Sequence, residues 1–303
     1  MHGRPRLVTI LVAACAGALL ATLSANLSAR IVHTERSLYN TILVDQRGSV
    51  RCLQFSVRRD QRNQSCLDER KPRAMMFAYT RMMMASLLLN PRPARILVVG
   101  LGGGTLPMAL AELLETSTID VVEIDPAVDR VAREYFGFEP GERIHVFTQD
   151  GRVFVKRAVQ HDERYDLILL DAFNGDYIPE HLMTREFLEE VRALLAQGGV
   201  LAANTFSISD LYDHESVTYA RVFGPFFNLK PWDSGNRVII TALDNLPGPA
   251  VLKERAAALA PELAPYGVQP EEMLDLFTTR VDWDTSARPL TDQYSPANLL
   301  QGR

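Results

Sequence analysis

The chain has 303 residues, of which 47% are hydrophobic, enough for one large domain with a small addition. Its formal net charge of −5 argues against nucleic acid as the main partner and is compatible with a cationic substrate. The three cysteines leave the redox compartment open. Cys52 and Cys66 would pair if the domain faces an oxidising space, and two free thiols in a reducing cytoplasm are equally ordinary.

The first element in chain order is a stretch without charged residues, positions 7–29, preceded by Arg4 and Arg6. Because about 20 apolar residues cross a bilayer, we expect a membrane anchor within residues 1–30. The flanking arginines favour the amino end inside, which places the remaining chain outside the cytoplasm. The alternative is a signal peptide, since small residues near the end of the stretch offer cleavage sites, followed by secretion.

A small β domain is predicted over residues 38–72. Alternating segments at 39–44 and 50–55 flank a four-residue turn that ends in glycine, a pattern typical of a β-hairpin. The charged segment 58–73 is predicted to be a loop. Residues 75–89 are rich in Met, Ala and Leu and favour a helix.

The pattern of strand, glycine turn and helix that follows is typical of nucleotide binding in α/β folds. Residues 96–99 form a short apolar run, and Thr105 is the predicted N-cap of the next helix. Glycines let the backbone touch a ligand, and the start of a helix offers free N–H groups. The candidate cofactor-binding glycines are Gly100, Gly102, Gly103 and Gly104.

Carboxylates stand at the ends of the next three predicted strands. Glu123 lies at the end of a strand over 120–124 and 21 positions after Gly102, a spacing that suits hydrogen bonds to ribose hydroxyls. Asp125 follows as the predicted N-cap of a helix. The strands over 144–148 and 165–170 are followed by two acidic positions, Asp150-Gly151 and Asp171. Because ligands bind at the carboxyl edge of open α/β sheets, we interpret these residues as one site.

The segment after Asp171 is rich in Gly, Asp, Asn and Pro and is predicted to be a functional loop over 172–182. Thr184 is the predicted cap of a helix over 185–196, which Gly198-Gly199 would end. A strand over 200–205, a hairpin over 227–232 and 237–243, and a helix over 250–259 complete the chain. The sheet plan is that of class I S-adenosylmethionine-dependent methyltransferase-like (Rossmann-like) α/β folds, over residues 73–245, with an extension over 246–303.

The chain resembles the spermidine synthase family, the polyamine aminopropyltransferases, over residues 38–243 and a tail segment at 290–296. The motifs that carry this resemblance are Phe77-Ala-Tyr79, Val99-Gly-Leu-Gly-Gly-Gly-Thr-Leu106, Val122-Glu-Ile-Asp-Pro126, Gln149-Asp-Gly151 and the Asp171 loop. Within the family, the chain looks closer to a membrane-associated, spermidine-synthase-like branch than to the soluble enzymes.

The resemblance implies transfer of an aminopropyl group from decarboxylated S-adenosylmethionine, as a substrate, to an amine such as putrescine. It implies Glu123 on the ribose and Asp150 near the adenine amine. A carboxylate suits the general base, and aromatic faces suit a polyamine groove. We therefore assign Asp171 to amine binding, Asp176 to proton removal, and Tyr79 to the acceptor groove with Tyr177. The expected nucleoside-binding set is Gly100, Gly102, Gly103, Gly104, Glu123, Asp125, Asp150 and Gly151.

Three departures from the family pattern bear on activity. The glycine loop lacks the usual Asp, Asn174 stands where a second acidic residue is common, and Thr80 stands where His is common. Two other functions stay open, a methyltransferase that uses S-adenosylmethionine and a non-catalytic nucleoside- or polyamine-binding module. We expect no metal, because no His, Cys or Asp cluster has ligand spacing. We expect no nucleic acid partner, and a homodimer remains open.

Overall fold

The computed structural model describes residues 29–57, 60–173, 177–232 and 234–296 as two β-sheets with helices around the larger one. The predicted anchor lies almost entirely in residues 1–28, outside the described residues. Within the described ranges, no helix is both long and apolar enough to cross a bilayer.

The strands are β1 Arg30–Arg36, β2 Thr41–Arg47, β3 Val50–Val57, β4 Asp60–Asp68, β5 Arg95–Val99, β6 Thr118–Glu123, β7 Ile144–Thr148, β8 Tyr165–Leu170, β9 Leu195–Phe206, β10 Phe227–Leu229 and β11 Asn236–Ala242. The α-helices are α1 Ala78–Met84, α2 Thr105–Leu113, α3 Pro126–Tyr135, α4 Gly151–Gln160, α5 Arg185–Ala193, α6 Tyr212–Phe223 and α7 Pro249–Leu263. Short 3₁₀ turns cover Ala85–Leu88, Glu180–Leu182, Ala264–Tyr266 and Leu274–Leu276.

The small sheet is an antiparallel meander in the order β1-β2-β3-β4. The prediction of a loop over 58–73 is wrong for residues 60–68, because β4 pairs with β3 along its whole length. Main-chain pairing supplies this order in a polar segment whose composition does not favour a strand. The predicted hairpin is thus the centre of a four-stranded sheet.

A disulfide between Cys52 and Cys66 joins β3 to β4, where the two residues face each other in register and are 14 positions apart in sequence. Because a crosslink restricts the unfolded chain, its reduction is expected to lower the free energy of unfolding by about 2–4 kcal/mol. Thermal unfolding with and without dithiothreitol measures this loss. A Cys52→Ser/Cys66→Ser variant is the control and should be insensitive to the reductant. An unchanged unfolding temperature in the reduced wild type would contradict the prediction.

The large sheet has seven strands in the order β10-β11-β9-β8-β5-β6-β7. Strands β9, β8, β5, β6 and β7 are parallel, and β11 is antiparallel to β9. The chain reverses its direction of winding between β5 and β8, and this switch point opens a crevice at the carboxyl edge. The Rossmann-like plan predicted from the sequence is confirmed.

The local predictions differ in their outcomes. Asp125 caps α3 by accepting the N–H of Ala127, and Thr184 caps α5 by accepting the N–H of Phe187, as predicted. Thr105 is not a cap: Gly104 takes that position in a left-handed conformation, and Thr105 is the first helical residue. Gly198-Gly199 lie inside β9 rather than ending a helix, since β9 begins at Leu195.

The C-terminal segment runs between helices of the large domain and is fixed by specific contacts. Leu290 is fully buried, and its backbone bonds to Arg185 and to the hydroxyl of Thr218. Asp292 accepts two hydrogen bonds from the guanidinium of Arg152 at 2.6 and 2.8 Å. Residues 290–292 of the predicted extension therefore pack against α4, α5 and α6 of the large domain.

Candidate active site

A cavity of about 450 Å³ lies at the carboxyl edge of the large sheet, at the switch point between β5 and β8. The small sheet closes one side of it through Phe55, Gln64 and Ser65, and the turn after β1 contributes Tyr39 and Asn40. A volume of a few hundred cubic ångströms is typical of a small-molecule site. The predicted site residues that line it are Tyr79, Gly100, Gly102, Glu123, Asp125, Asp150, Gly151 and Asp171, with Tyr177 among the acceptor aromatics.

The charged residues along this cavity are almost all acidic. The lining contains five carboxylates and one histidine, namely Glu123, Asp125, Asp150, Asp171, Glu180 and His181. None of the described lining residues is a lysine or an arginine. A concave site that concentrates negative charge attracts cations and repels anions. The electrostatics of the cavity therefore suit a polycationic amine.

Glu123 and Asp125 organise the glycine loop and the start of α3. The Glu123 carboxylate accepts the backbone N–H of Leu101 at 3.0 Å and that of Asp125 at 2.9 Å. Burial raises the pKa of Glu123, and these two N–H donors oppose that effect. Asp125 accepts both its capping bond from Ala127 and a bond from the Ser37 hydroxyl. The carboxylate of Asp125 is therefore engaged within the protein, although the residue lines the cavity.

Two glycines after β5 lie so close to neighbouring groups that a side chain would not fit at either position. A Cβ on Gly100, whose φ is +101°, would lie 2.3 Å from the carbonyl oxygen of Asp171, so β5 and β8 touch through the backbone. A Cβ on Gly103 would lie 2.7 Å from the Ser65 hydroxyl, which leaves no room for an acidic side chain at this point of the loop. Gly103 and Gly104 pack against Ser65 and Phe138, and neither lines the cavity.

Asp150 pairs with a histidine that the sequence did not connect to it. One carboxylate oxygen of Asp150 caps α4 by accepting the N–H of Val153 at 2.9 Å. The other lies 2.8 Å from Nε2 of His181, on the 3₁₀ turn that follows the Asp171 loop. From the sequence alone, His181 is a surface loop residue, because nothing in its neighbourhood signals a partner 31 positions away.

Asp171 lies on the wall of the cavity, and burial strongly perturbs its carboxylate. Burial raises its pKa to about 7, and hydrogen bonds from Asn204 and Tyr79 limit the rise. The amide nitrogen of Asn204 donates to Asp171 at 2.8 Å. The Tyr79 hydroxyl also approaches the backbone oxygen of Gln64 at 3.4 Å. Tyr79 and Asp171, assigned separately from the sequence, thus meet in one hydrogen-bonded group.

Asn204 is a site residue that the sequence analysis missed. It is buried within β9, a strand otherwise dominated by Val, Leu and Ala in its central part. A single amide in the middle of a buried apolar strand is costly unless it has partners, and this was the available signal. Its partner, Asp171, is 33 positions away in sequence.

Two predicted loop residues cannot be placed. Asp176, the expected general base, and Asn174 lie outside the described residues, so their assignments stay predictions. In the ranges that the structure does describe, no group of three His, Cys, Asp or Glu residues is arranged to hold a metal ion.

The fold and site define a Rossmann-like α/β domain with an acidic, cation-attracting cavity at the carboxyl edge of its sheet. The family profile described as "Spermine/spermidine synthase domain" matches residues 76–225. The chain is 51% identical over 289 residues to a polyamine aminopropyltransferase of Vibrio vulnificus (strain CMCP6), covering 94% of this chain and 97% of the relative. The chain therefore belongs to the polyamine aminopropyltransferase family.

Solved structures agree at the level of the fold. A probable spermidine synthase from Corynebacterium glutamicum ATCC 13032 superposes with a TM-score of 0.63 at 22% identity, covering 86% of this chain and 99% of that one. Human methyltransferase-like protein 13 in complex with SAH superposes with a TM-score of 0.54 at 27% identity, covering 74% of this chain and all of that one. The fold is thus shared with methyltransferases, and the choice of reaction depends on the site.

Proposed function

We propose that this protein transfers an aminopropyl group from decarboxylated S-adenosylmethionine to a diamine such as putrescine. The acidic lining of the cavity, which holds no lysine or arginine among its described residues, is the observation that carries the proposal. It suits two cationic substrates, a sulfonium with an ammonium tail and a protonated diamine. Membership of the family supports the same reaction.

The reaction needs positioning and removal of one proton. The amine nitrogen attacks the aminopropyl carbon, a C–N bond forms as the C–S bond breaks, and methylthioadenosine leaves as a neutral thioether. Because the sulfonium is already activated, holding the amine in line with the C–S bond supplies much of the acceleration. Asp171 binds the ammonium, and a pKa of about 7 also suits it to accept the proton near neutral pH.

The methyltransferase alternative makes a different demand on the same cleft. S-adenosylmethionine carries a carboxylate, which binds best to an arginine, a lysine or free backbone N–H groups. The described cavity lining contains no such cation, and the Leu101 N–H is already bonded to Glu123. This chemistry favours the decarboxylated nucleoside over S-adenosylmethionine.

The test is a product assay. Purified protein is incubated with decarboxylated S-adenosylmethionine and a panel of amines, and products are identified by mass spectrometry. We expect methylthioadenosine and one aminopropylated amine in equal amounts. Nucleoside binding without transfer to any amine would leave a binding module, and methylated products from S-adenosylmethionine would establish the methyltransferase.

Nucleoside binding should depend on Glu123. Glu123→Gln is expected to weaken methylthioadenosine binding by about 1.5–3 kcal/mol, because a neutral amide is a poorer acceptor for ribose hydroxyls and backbone N–H groups. Isothermal titration calorimetry measures the change. Glu180→Gln, at an acidic position of the same cavity that is not assigned to the ribose, is the matched control. An unchanged dissociation constant for Glu123→Gln would remove this residue from the nucleoside site.

We also propose that the domain works in an oxidising compartment and that the segment over 7–29 anchors it to a membrane. The Cys52–Cys66 disulfide supports the compartment, because such bonds persist mainly outside the cytoplasm. The uncharged length of the segment and the preceding arginines support the anchor and its orientation. Alkaline carbonate washing of membranes tests anchoring. Recovery of a soluble form lacking about 25–30 residues would instead indicate a signal peptide.

A further inference from the structure

We propose that Asn204 and Asn236 are positioning residues that hold the Asp171 carboxylate in one orientation for amine transfer. The inference rests on the proposed function, because it concerns how Asp171 meets the amine. Asn204 is buried behind Asp171 and does not line the main cavity. It therefore acts through Asp171 rather than by touching a substrate.

Two asparagine amides connect β11 and β9 to the Asp171 carboxylate by hydrogen bonds. Asn204 Nδ2 donates to Asp171 Oδ1 at 2.8 Å, and Asn204 Oδ1 accepts from Asn236 Nδ2 at 3.1 Å. Asn204 and Asn236 lie on the antiparallel strands β9 and β11, where Asn204 faces Val238 and Asn236 faces Phe206. The two asparagines are thus diagonal neighbours on paired strands, and their side-chain amides meet at 3.1 Å.

These two hydrogen bonds are compatible with one orientation of the Asn204 amide. A flipped Asn204 amide would set its oxygen against the Asp171 carboxylate and its NH₂ group against the NH₂ group of Asn236. Both contacts would be unfavourable, so the Asp171 carboxylate and the Asn236 amide favour the same orientation of the Asn204 amide. The bond from Asn204 holds Oδ1 of Asp171 on the side of β9.

Strand β9 also contacts the start of the loop that follows Asp171, through a side chain on the same face as Asn204. Residues two apart on a strand point the same way, so Phe206 stands beside Asn204. The ring of Phe206 meets that of Phe173, two positions after Asp171, edge to face at 5.2 Å between centroids. One strand thus fixes both the carboxylate and the backbone that follows it.

The groups that act on Asp171 from other elements are few. Tyr79 from α1 donates a hydrogen bond, and Asn204 from β9 donates the other. Glu123, Asp150, Glu180 and His181 line the same cavity. Since burial raises the pKa of Asp171 to about 7, each donated bond determines how much of the carboxylate is ionised at neutral pH.

The experiment compares Asn204→Leu and Asn236→Ala with Thr241→Val. Thr241 is a matched control, because it is a buried polar residue on β11 whose hydroxyl donates to the backbone oxygen of Pro225 at 3.3 Å, away from Asp171. Two readouts are used: the pH dependence of kcat/KM for the amine, and the titration of the Asp171 carboxyl carbon by ¹³C NMR, assigned with Asp171→Asn.

In Asn204→Leu, the acid limb of the kcat/KM profile and the titration midpoint of the Asp171 carboxyl should both move up by about one to two pH units. A shift of this size is expected when a charged group loses one hydrogen bond. Asn236→Ala should move them in the same direction by less, and Thr241→Val should leave them unchanged. Asn236→Ala also serves if Asn204→Leu fails to fold. Unmoved Asp171 titration in the folded variants would overturn the inference. A moved titration in a protein that transfers nothing to any amine would uphold the positioning and refute the proposed function.

Discussion

Replacing Asp171 by asparagine should lower amine transfer by roughly 10²–10⁴-fold, the usual contribution of a positioned acid–base group. The carboxylate lies on the cavity wall, holds hydrogen bonds from Asn204 and Tyr79, and has a pKa raised by burial to about 7. An asparagine keeps the size of the side chain but cannot pair with an ammonium or accept its proton. Steady-state rates with decarboxylated S-adenosylmethionine and putrescine measure the loss.

The same variant should change stability in a pH-dependent way. Burial raises the pKa of Asp171 in the folded state to about 7, whereas an unfolded Asp has a pKa of about 3.9, so the folded state holds more protons between these values. The contribution of Asp171 to the free energy of unfolding is therefore fully present below about pH 4, and it is lost as the pH rises through 7. Asp171→Asn should be more stable than the wild type at pH 8, by about 2–4 kcal/mol, and equal to it at pH 4. A lower stability at pH 8 would contradict the raised pKa.

Asp176→Asn separates the two roles assigned to the loop carboxylates. If Asp176 removes the proton, this variant should lower kcat by roughly 10²–10⁴-fold with nearly unchanged nucleoside affinity. If Asp171 binds the amine and also accepts the proton, Asp176→Asn should leave kcat within a few-fold of the wild type. Nucleoside affinity, measured by calorimetry for both variants, controls for damage to the cleft.

The second large effect concerns a fully buried arginine. Arg237 on β11 pairs with Glu215 at 3.2 Å, donates to the hydroxyls of Thr205 and Ser216 at 2.7 Å each, and stacks on the ring of Tyr212. Arg237→Met leaves the Glu215 carboxylate buried without its charge partner. We expect a loss of about 3–5 kcal/mol in the free energy of unfolding, measured by urea denaturation.

Two further variants test this interpretation. Arg237→Met/Glu215→Leu removes both charges and should recover much of the loss, because the cost comes from the unpaired charge. Arg92→Met breaks the exposed pair with Glu262 and should cost less than about 1 kcal/mol. Equal losses in Arg237→Met and Arg92→Met would show that the buried pair has no special contribution.

The parallel strands of the large sheet were predictable because their physics is local. Strand β8 is buried along most of its length and has a nearly continuous apolar sequence, and it begins and ends where the sequence analysis placed it. The edge strand β7 also has the predicted bounds, although only Ile144 in it is buried. The caps at Asp125 and Thr184 depend on residues two or three positions away, so they too could be predicted. By contrast, β4 is polar and depends on pairing with β3, which no local pattern reports.

The candidate site was predictable in part for the same reason. Glu123 ends a strand, Asp150 and Asp171 come shortly after strands, and the topology of a parallel sheet brings strand ends together. The partners that tune these groups were not predictable, since His181 and Asn204 reach Asp150 and Asp171 from 31 and 33 positions away. A local pattern carries no information about which distant side chain completes a hydrogen bond.

The packing of the C-terminal segment around Leu290 and Asp292 affects the order in which parts of the protein fold during synthesis. Leu290 fills a buried position and Asp292 binds Arg152, yet both follow every strand in chain order. Helix α5, which this segment contacts, leaves the ribosome about 100 residues earlier, an interval of about 5–20 seconds at ordinary elongation rates. During that interval, the apolar surface that Leu290 later covers is exposed on the nascent domain. The docking of residues 290–292 therefore follows the synthesis of the helices that they contact, and chaperones have that interval in which to bind.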